Sequence, residues 1–281
     1  MTFNPIAALN AIECKKIIEK DNPNALDLGS QTPTLDNVFL KSMLENNKNL
    51  SLKQKENINN LSKVSQFTTE NFYLSLEYSN YNSIDINGAY NSYKFDLNKN
   101  INKTHNFTKS FDLVVNNGTG EHVFDQHNFF LNFHNMTNKN GLMLNILPFV
   151  DWINHGFYNF NPIFFADLAA SNNYKILKMS LANRNGAEIT LNEEDYSILY
   201  EQIKPHKESS KFKKVLEIAK NKLGMNILLV VISKKLSEQE FKIPLQGKYL
   251  QDIANSKNDY NSQKAGSGLA KNQVADNYKR Q

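Results

Sequence analysis

The feature that most constrains the fold of this chain is a largely apolar run, Phe111–Val115, that ends abruptly in turn-forming polar residues. A short apolar run bounded by turn residues is typical of a strand that is buried on both faces. The residues that follow it are Asn116, Asn117 and Gly118. In an open α/β sheet, ligands bind outside the carboxyl ends of the strands, so we expect these polar groups to face a crevice.

Two predicted strands earlier in the chain, at residues 25–29 and 82–87, end in the same way. The first carries Asp27 and Gly29, and the second carries Asp85. A glycine after a buried strand lets a ligand approach the backbone closely, and a carboxylate can accept hydrogen bonds from both hydroxyls of a ribose. These strand ends favour a nucleoside-binding crevice, while a plain turn at the glycine and a solvated turn aspartate stay open as alternatives.

Predicted strands alternate with predicted helices along most of the chain. This alternation favours an α/β fold with a doubly wound, mostly parallel seven-stranded sheet, whose last strand could be an antiparallel edge strand. The predicted strands are 25–29, 82–87, 93–97, 111–115, 142–147, 174–181 and 225–233. The predicted helices are 5–21, 34–49, a polar helix-like stretch at 51–79, one containing 123–133, one from Pro162, 193–203 and 209–222.

The same patterns divide the chain into three parts. Residues 1–24 are predicted to be an N-terminal helical segment, and residues 25–250 a sheet domain with a helical insertion at 34–79. Residues 251–281 are poor in apolar side chains and cannot bury enough surface to offset their ordering entropy. We therefore expect this tail to be disordered.

Composition excludes several classes of protein. The chain has 281 residues and a net charge of +4, with no basic stripe of the kind that binds nucleic acid. Its one cysteine, Cys14, excludes an intramolecular disulfide, and its histidines lack helical ligand spacing, so we expect no metal. No secretory signal is visible, and the longest apolar run, at 227–232, is too short to span a bilayer. We expect a cytoplasmic protein with a small-molecule partner and leave its oligomeric state open.

Two histidines and a tyrosine are candidates for proton transfer. His122 follows the predicted strand at 111–115, and His155 and Tyr158 lie in an aromatic loop at 148–162. An unperturbed histidine titrates near neutral pH and therefore suits a general base. The alternatives are a helix start with a surface histidine, and a loop whose aromatic rings pack on the core.

Four segments, taken in chain order, resemble the class I S-adenosylmethionine-dependent methyltransferases. They are Leu26–Gly29, Ser83–Asn87, Phe95–Asn98 and Phe111–Gly118. The aromatic segment His155–Pro162 is similar to one in bacterial methyltransferases of unassigned or sugar-related substrate. The resemblance covers roughly residues 20–235. It implies a Rossmann-like sheet with a reversed last strand, S-adenosyl-L-methionine as cofactor, and methyl transfer to a small-molecule acceptor.

The resemblance also implies roles for individual residues. Gly29, with Asp27 beside it, would approach the methionine part of the cofactor. Asp85 would hold the ribose hydroxyls, and Asp96 would hold the adenine edge. Asn116–Gly118 would lie beside the methyl group.

The sequence departs from the family pattern in two places. Ser30–Thr32 stand where further glycines are usual, and the interval before Asp85 is long. The missing glycines favour an alternative, a cofactor-binding or interaction protein of the same fold that has lost catalysis. A dehydrogenase is a third hypothesis, which the missing three-glycine fingerprint disfavours.

Overall fold

A seven-stranded sheet is the centre of the computed structural model, which describes residues 2–64, 66–191 and 211–245. The strands, in chain order, are β1 (Thr2–Phe3), β2 (Asn24–Leu28), β3 (Thr32–Pro33), β4 (Asn80–Ile84), β5 (Phe111–Asn117), β6 (Thr137–Val150), β7 (Tyr174–Ala182), β8 (Glu188–Thr190) and β9 (Ile227–Lys235). The sheet has the order β4-β2-β5-β6-β9-β7-β8, and β1 pairs with β3 apart from it. The expected α/β fold with a seven-stranded sheet is confirmed.

Strand β9 runs opposite to its neighbours. It lies antiparallel between β6 and β7, whereas β4, β2, β5 and β6 are mutually parallel. The expected reversed last strand is therefore confirmed, but its expected place at an edge is wrong. The run Ile227–Ile232 is buried throughout, which suits a strand with a neighbour on each side. Since β7 and β8 are also antiparallel, three of the six strand pairings are antiparallel, and the sheet is mixed rather than mostly parallel.

The predicted strand at 93–97 is not a strand. Its backbone makes one isolated bridge, between Tyr93 and Ile84. The rings of Tyr93 and Phe95 stack with their centroids 5.6 Å apart, and Phe107 packs edge-on against both. The aromatic alternation here reflects ring packing rather than a sheet ladder. The seventh strand is instead the short β8, which pairs with β7.

Helices of the described ranges surround the sheet. They are α1 (Pro5–Ile17), α2 (Asn37–Asn46), α3 (Leu52–Leu61), α4 (Thr69–Ser75), α5 (Ile101–His105), α6 (Gln126–Asn135), α7 (Pro162–Asn172) and α8 (Lys211–Leu223). The polar stretch at 51–79 forms two of them, because Ser51 and Thr68 each begin a helix with a capping box. The predicted helix at 193–203 and the predicted tail at 251–281 lie outside the described residues. No helix in the described ranges is long and apolar enough to cross a membrane.

Helix α6 begins at Gln126, later than the sequence predicts. Asp125 is its N-cap, with a side-chain oxygen that accepts a hydrogen bond from the Asn128 amide at 2.8 Å. Residues 123–124 therefore precede the helix, and Gly120–His122 form a separate turn of 3₁₀ helix. The segment between β5 and α6 is thus a loop that can line the edge of the sheet.

Each face of the sheet has its own apolar core. Val114 of β5 packs with Phe129 of α6 on one face, whereas Leu113 and Val115 pack on the other face with residues that include Tyr73 of α4. Burial on both faces explains why β5 is an almost continuous apolar run. Burial of each large apolar side chain contributes about 1.5–3 kcal/mol, so the strand ends are held on a rigid platform.

Candidate functional site

The strand order reverses between β2 and β5, which makes their carboxyl ends the switch point of the sheet. After β2, the next strand of this sheet in chain order is β4, which lies on one side of β2. The strand after that, β5, lies on the other side of β2. In open α/β sheets the ligand crevice forms at such a point. The two segments that leave it are residues 29–31 after β2 and residues 118–122 after β5. These segments are therefore the first place to look for a binding site.

Gly29 lies at the switch point, as the sequence predicts, and packs against the segment that follows β5. Its φ angle is +114°, and a Cβ atom there would lie 2.2 Å from the Oγ1 atom of Thr119. Any side chain at this position would be strained and would collide with the threonine. The glycine is thus required by the close approach of the protein's own loop.

Gln31 bridges the two strand ends, and sequence reasoning did not identify it. Its Nε2 atom donates to the carbonyl oxygen of Asn117 at 3.0 Å, and its Oε1 atom accepts from Asn117 Nδ2 at 3.2 Å. The side-chain Nδ2 atom of Asn117 also donates to the carbonyl oxygen of Thr2 at 3.2 Å. Gln31 is buried, so this amide bridge fills the switch point. The only signal in the sequence was the absence of further glycines after Gly29.

Asp85 lies directly after β4 and is half-buried. Its Oδ2 atom accepts hydrogen bonds from the amide and the hydroxyl of Ser30, at 3.1 and 2.7 Å. Its Oδ1 atom accepts from the Asn87 amide at 3.1 Å. A carboxylate offers about four acceptor positions, so these contacts leave about one for a ligand. The structure thus places Asp85 next to the loop that follows β2, despite the long interval between them.

The side chain of Asp27 makes its hydrogen bonds in the core and not with Gln31 or Asn117 at the switch point. Its side chain is buried and accepts hydrogen bonds from the hydroxyls of Tyr81 and Tyr73, at 2.8 and 3.4 Å. Burial raises the pKa of Asp27 to about 7, and the two tyrosine hydrogen bonds oppose this rise. The side chain of Asp27 is thus held by two tyrosines of the core, and its contact with a cofactor stays a prediction.

Asp96 lies in a turn rather than at a strand end. Its Oδ1 atom accepts hydrogen bonds from the amide and the side-chain Nδ2 of Asn98, at 3.0 and 2.9 Å. These bonds hold the pKa of Asp96 below its usual value. The backbone bridge between Tyr93 and Ile84 keeps this turn beside the loop that carries Asp85. A contact between Asp96 and an adenine ring stays a prediction.

Asn116 and Gly118 shape the loop after β5. The Asn116 side chain is buried, donates to Asn145 Oδ1 at 2.9 Å and accepts from the Gly120 amide at 2.9 Å. Gly118 has a φ angle of +70°, and its amide donates to the carbonyl oxygen of Ile146 at 3.0 Å. These contacts are all within the protein, and they fix the path of the loop. The position of Asn116–Gly118 beside a reacting methyl group stays a prediction.

Glu121, His122 and His155 come together at the far end of this loop, and we call them the Glu–His cluster. The Nε2 atoms of His155 and His122 lie 3.4 and 3.8 Å from Glu121 Oε1. Glu121 is 0% exposed, and neither carboxylate oxygen has a hydrogen-bond partner among the described residues. Burial raises the pKa of Glu121 to about 7 and lowers the pKa of both histidines.

The backbone ties the two loops of the Glu–His cluster to each other. The amides of Phe157 and Tyr158 donate to the carbonyl oxygen of Glu121, at 2.8 and 3.3 Å. A Cβ atom on Gly156 would lie 2.9 Å from the Cγ atom of Glu121, so only glycine allows this approach. The Tyr158 hydroxyl donates to the carbonyl oxygen of Phe124 at 2.9 Å. The Tyr158 hydroxyl thus stabilises the loop. A role of Tyr158 in proton transfer stays a prediction.

Aromatic and apolar side chains border the Glu–His cluster. The ring of Trp152 lies 4.7 Å from that of His155, and its Nε1 atom donates to the carbonyl oxygen of Ile227 at 2.9 Å. Phe124 and Phe157 are mostly exposed and meet edge to face at 6.0 Å. In the aromatic loop, the ring of Trp152 is therefore held against the core, whereas the ring of Phe157 is exposed to solvent.

These features define a class: an open α/β sheet protein with a reversed inserted strand, polar groups at its switch point, and a buried carboxylate between two histidines. No family model matches the chain, and no curated protein does. Solved structures with a similar arrangement include an O-methyltransferase from the trans-AT PKS multienzyme of Brevibacillus brevis in complex with S-adenosyl-L-homocysteine. It has 13% sequence identity and a TM-score of 0.42, covering 83% of this chain and 73% of that chain.

Two other solved structures are similar at the same level. A coclaurine N-methyltransferase has 11% identity and a TM-score of 0.37, covering 82% of this chain and 72% of its own. A putative sarcosine dimethylglycine methyltransferase from Galdieria sulphuraria has 10% identity and a TM-score of 0.38, covering 81% of this chain and 82% of its own. Likenesses at these TM-scores carry no argument, so a function must be argued from the strand order and the side chains of this chain.

Proposed function

We propose that this chain transfers a methyl group from S-adenosylmethionine to a small-molecule acceptor. The observation that carries the proposal is that one segment, Asn116–His122, borders two chemically different places. Its Thr119 packs against Gly29 at the switch point, where a nucleoside ligand is expected, and its Glu121 lies against His155. The reversed last strand, which the sequence resemblance implies, supports the same proposal.

The residues at the switch point fit a nucleoside that carries no phosphate groups. Asp85 keeps about one acceptor position for a ribose hydroxyl, and the Ser30 hydroxyl that it now holds can be exchanged for another. A single glycine suffices here, because no phosphate needs a cradle of backbone amides. Gln31 must turn aside, since its amide bridge to Asn117 fills the switch point. When bound, the cofactor supplies the electrophilic methyl group.

The Glu–His cluster takes the proton of the acceptor in this proposal. Methyl transfer requires mainly that the acceptor atom be aligned with the methyl group, and a base is needed only where that atom carries a proton. His155 and His122 are the two candidate bases, and Glu121 is placed to stabilise the imidazolium that forms. The exposed rings of Phe124 and Phe157 offer an apolar surface to the acceptor, and a sugar-related acceptor is one candidate.

We expect the substitution Asp85→Asn to weaken S-adenosylmethionine binding at least tenfold, about 1.4 kcal/mol. Hydrogen bonds to a charged group contribute about 1.5–3 kcal/mol, and the substitution removes the charge while keeping the shape of the side chain. Isothermal titration on the folded variant measures the effect. The matched control is Asp36→Asn, because Asp36 is an exposed N-cap that asparagine can replace. Unchanged affinity in Asp85→Asn would move the ribose site elsewhere.

We expect Gln31→Ala to strengthen binding of S-adenosylmethionine by about tenfold. The two bonds between Gln31 and Asn117 contribute about 0.5–1.5 kcal/mol each, and the variant no longer has to break them. The control is Gln54→Ala, which removes another buried glutamine whose amide donates to the carbonyl oxygen of Leu76. Weaker binding by Gln31→Ala would contradict the expectation and make Gln31 a ligand contact.

The second candidate function is a protein of the same fold that has lost catalysis. The amide bridge of Gln31 and the contact between Gly29 and Thr119 favour it, because both close the switch point with the protein's own side chains. In that case the wild-type chain would bind neither S-adenosylmethionine nor S-adenosylhomocysteine in a titration. Binding with turnover of an acceptor would exclude this candidate.

A further inference from the structure

The Glu–His cluster has the composition and spacing of a metal site. One potential ligand atom from each of Glu121, His122 and His155 lies within 4.8 Å of the other two. Two residues come from the 3₁₀ turn after β5 and one from the aromatic loop. We propose that these three residues bind one divalent transition-metal ion, with Zn²⁺ as the reference case, and leave a coordination position open.

The buried carboxylate of Glu121 is the first argument. Its side chain is 1% exposed, and neither oxygen has a hydrogen-bond partner among the described residues. A buried polar group without a partner is costly, and a buried unpaired charge more so. Buried carboxylates are accordingly paired or coordinate metals. A cation held between Glu121 and the two imidazoles would supply the missing partner.

The distances are the second argument. Zinc binds imidazole nitrogen and carboxylate oxygen at about 2.0–2.2 Å in a tetrahedron, which separates neighbouring ligand atoms by about 3.4 Å. The separations from Glu121 Oε1 are 3.4 Å to His155 Nε2 and 3.8 Å to His122 Nε2. The ligand atoms of the three residues all lie within 4.8 Å of one another, so side-chain rotations would bring them to this geometry.

The rigidity of the two loops is the third argument. The amide of Phe157 donates to the carbonyl oxygen of Glu121 at 2.8 Å, and Gly156 leaves no room for a side chain between the loops. The two histidine side chains are 40% and 35% exposed, so an ion and an exogenous ligand can reach the cluster. Three protein ligands with an open position are typical of catalytic rather than structural zinc sites.

The open position would take water or an oxygen atom of the acceptor. A metal ion lowers the pKa of a bound hydroxyl, so an acceptor hydroxyl would release its proton to solvent water and no histidine base would be needed. The acceptor oxygen would then form its bond to the methyl group as the methyl–sulfur bond breaks, and S-adenosylhomocysteine would leave. This last step rests on the proposed function, whereas binding of the ion does not.

Titration of the full chain with metal ions tests the inference. The protein is treated with EDTA, exchanged into metal-free buffer, and titrated with ZnCl₂ by calorimetry and with CoCl₂ by visible absorption. We expect one ion per chain and the visible bands of four-coordinate Co²⁺. Glu121→Gln and His155→Ala should each weaken Zn²⁺ binding more than about 100-fold, because even residues that only hydrogen-bond to a metal ligand contribute about 10–100-fold.

The matched control is His127→Ala, since His127 is an exposed histidine on α6 outside the cluster. It should bind Zn²⁺ as the wild type does, and circular dichroism should confirm that all three variants are folded. Absence of stoichiometric Zn²⁺ binding would overturn the inference, as would equal affinity in Glu121→Gln, His155→Ala and His127→Ala. A titration of the EDTA-treated protein with S-adenosylmethionine tests the proposed function separately, because the ribose site at Asp85 contains none of the three ligands.

Discussion

His155→Ala is expected to lower turnover by about 10²–10⁴-fold, the usual contribution of a positioned proton-transfer group. His155 is the closer of the two histidines to the buried carboxylate, at 3.4 Å from Glu121 Oε1. The cofactor should bind with nearly unchanged affinity, because the neighbours of the His155 ring are Glu121, His122 and Trp152 and do not include Asp85 or Gly29. Methyl transfer from radiolabelled S-adenosylmethionine to a panel of small alcohols, phenols and amines measures turnover, and calorimetry measures cofactor binding.

The alternative for His155 is a packing role beside Trp152, whose ring lies 4.7 Å away. In that case the variant would melt at a lower temperature and lose turnover and cofactor binding together. His127→Ala serves again as the control, because it removes an exposed histidine outside the cluster. Full turnover at normal stability would remove His155 from the mechanism and leave His122, 3.8 Å from Glu121, as the remaining candidate.

Strand ends were the part of the site that the sequence could reveal. A buried strand is apolar over a few consecutive residues and is followed by turn formers, and both properties are local. Gly29, Asp85 and Gly118 could therefore be placed at loops that leave the sheet. The position of β9 could not be found this way, because its apolar run is the same whichever strands flank it.

The orientation of the Asp27 side chain depends on contacts with residues that are distant in the sequence. Residues alternate between the two faces of a strand, but the sequence does not say which face receives polar partners. The partners are Tyr73 and Tyr81, which are 46 and 54 residues away. A carboxyl group close to a glycine thus suggested a ligand contact, whereas its neighbours in the structure are the buried Tyr73 and the partly buried Tyr81.

The Glu–His cluster could not be predicted from the sequence for a similar reason. Two histidines four residues apart come together on a helix, and the histidines of this chain lack that spacing. Here Glu121 and His122 are adjacent in a 3₁₀ turn, and His155 reaches them from another loop. The contact requires the backbone bonds between residues 121 and 157–158, which no local pattern encodes.

Asp27→Asn is expected to stabilise the protein at pH 8 by up to about 4 kcal/mol. The pKa of Asp27 is about 7 in the folded protein against 3.8 for an ordinary aspartate, and a difference of this size corresponds to about 4 kcal/mol. Between these pH values the folded state binds a proton that the unfolded state has lost. The contribution of Asp27 to stability is therefore highest below pH 3.8, falls as the pH rises from there through 7, and stays at the reduced level above it.

Asparagine has no charge to desolvate and can still accept the hydrogen bond from the Tyr81 hydroxyl. Urea unfolding of the wild type and the variant at several pH values from 4 to 8 should show a difference that is small at pH 4 and grows towards pH 8. Asp36→Asn, at an exposed position, should show no such growth. A constant difference at all pH values would mean that Asp27 is ionised in the folded protein, and the two tyrosines would then stabilise a buried charge. Cofactor affinity should be unchanged in Asp27→Asn, because the side chain faces those tyrosines and not the switch point.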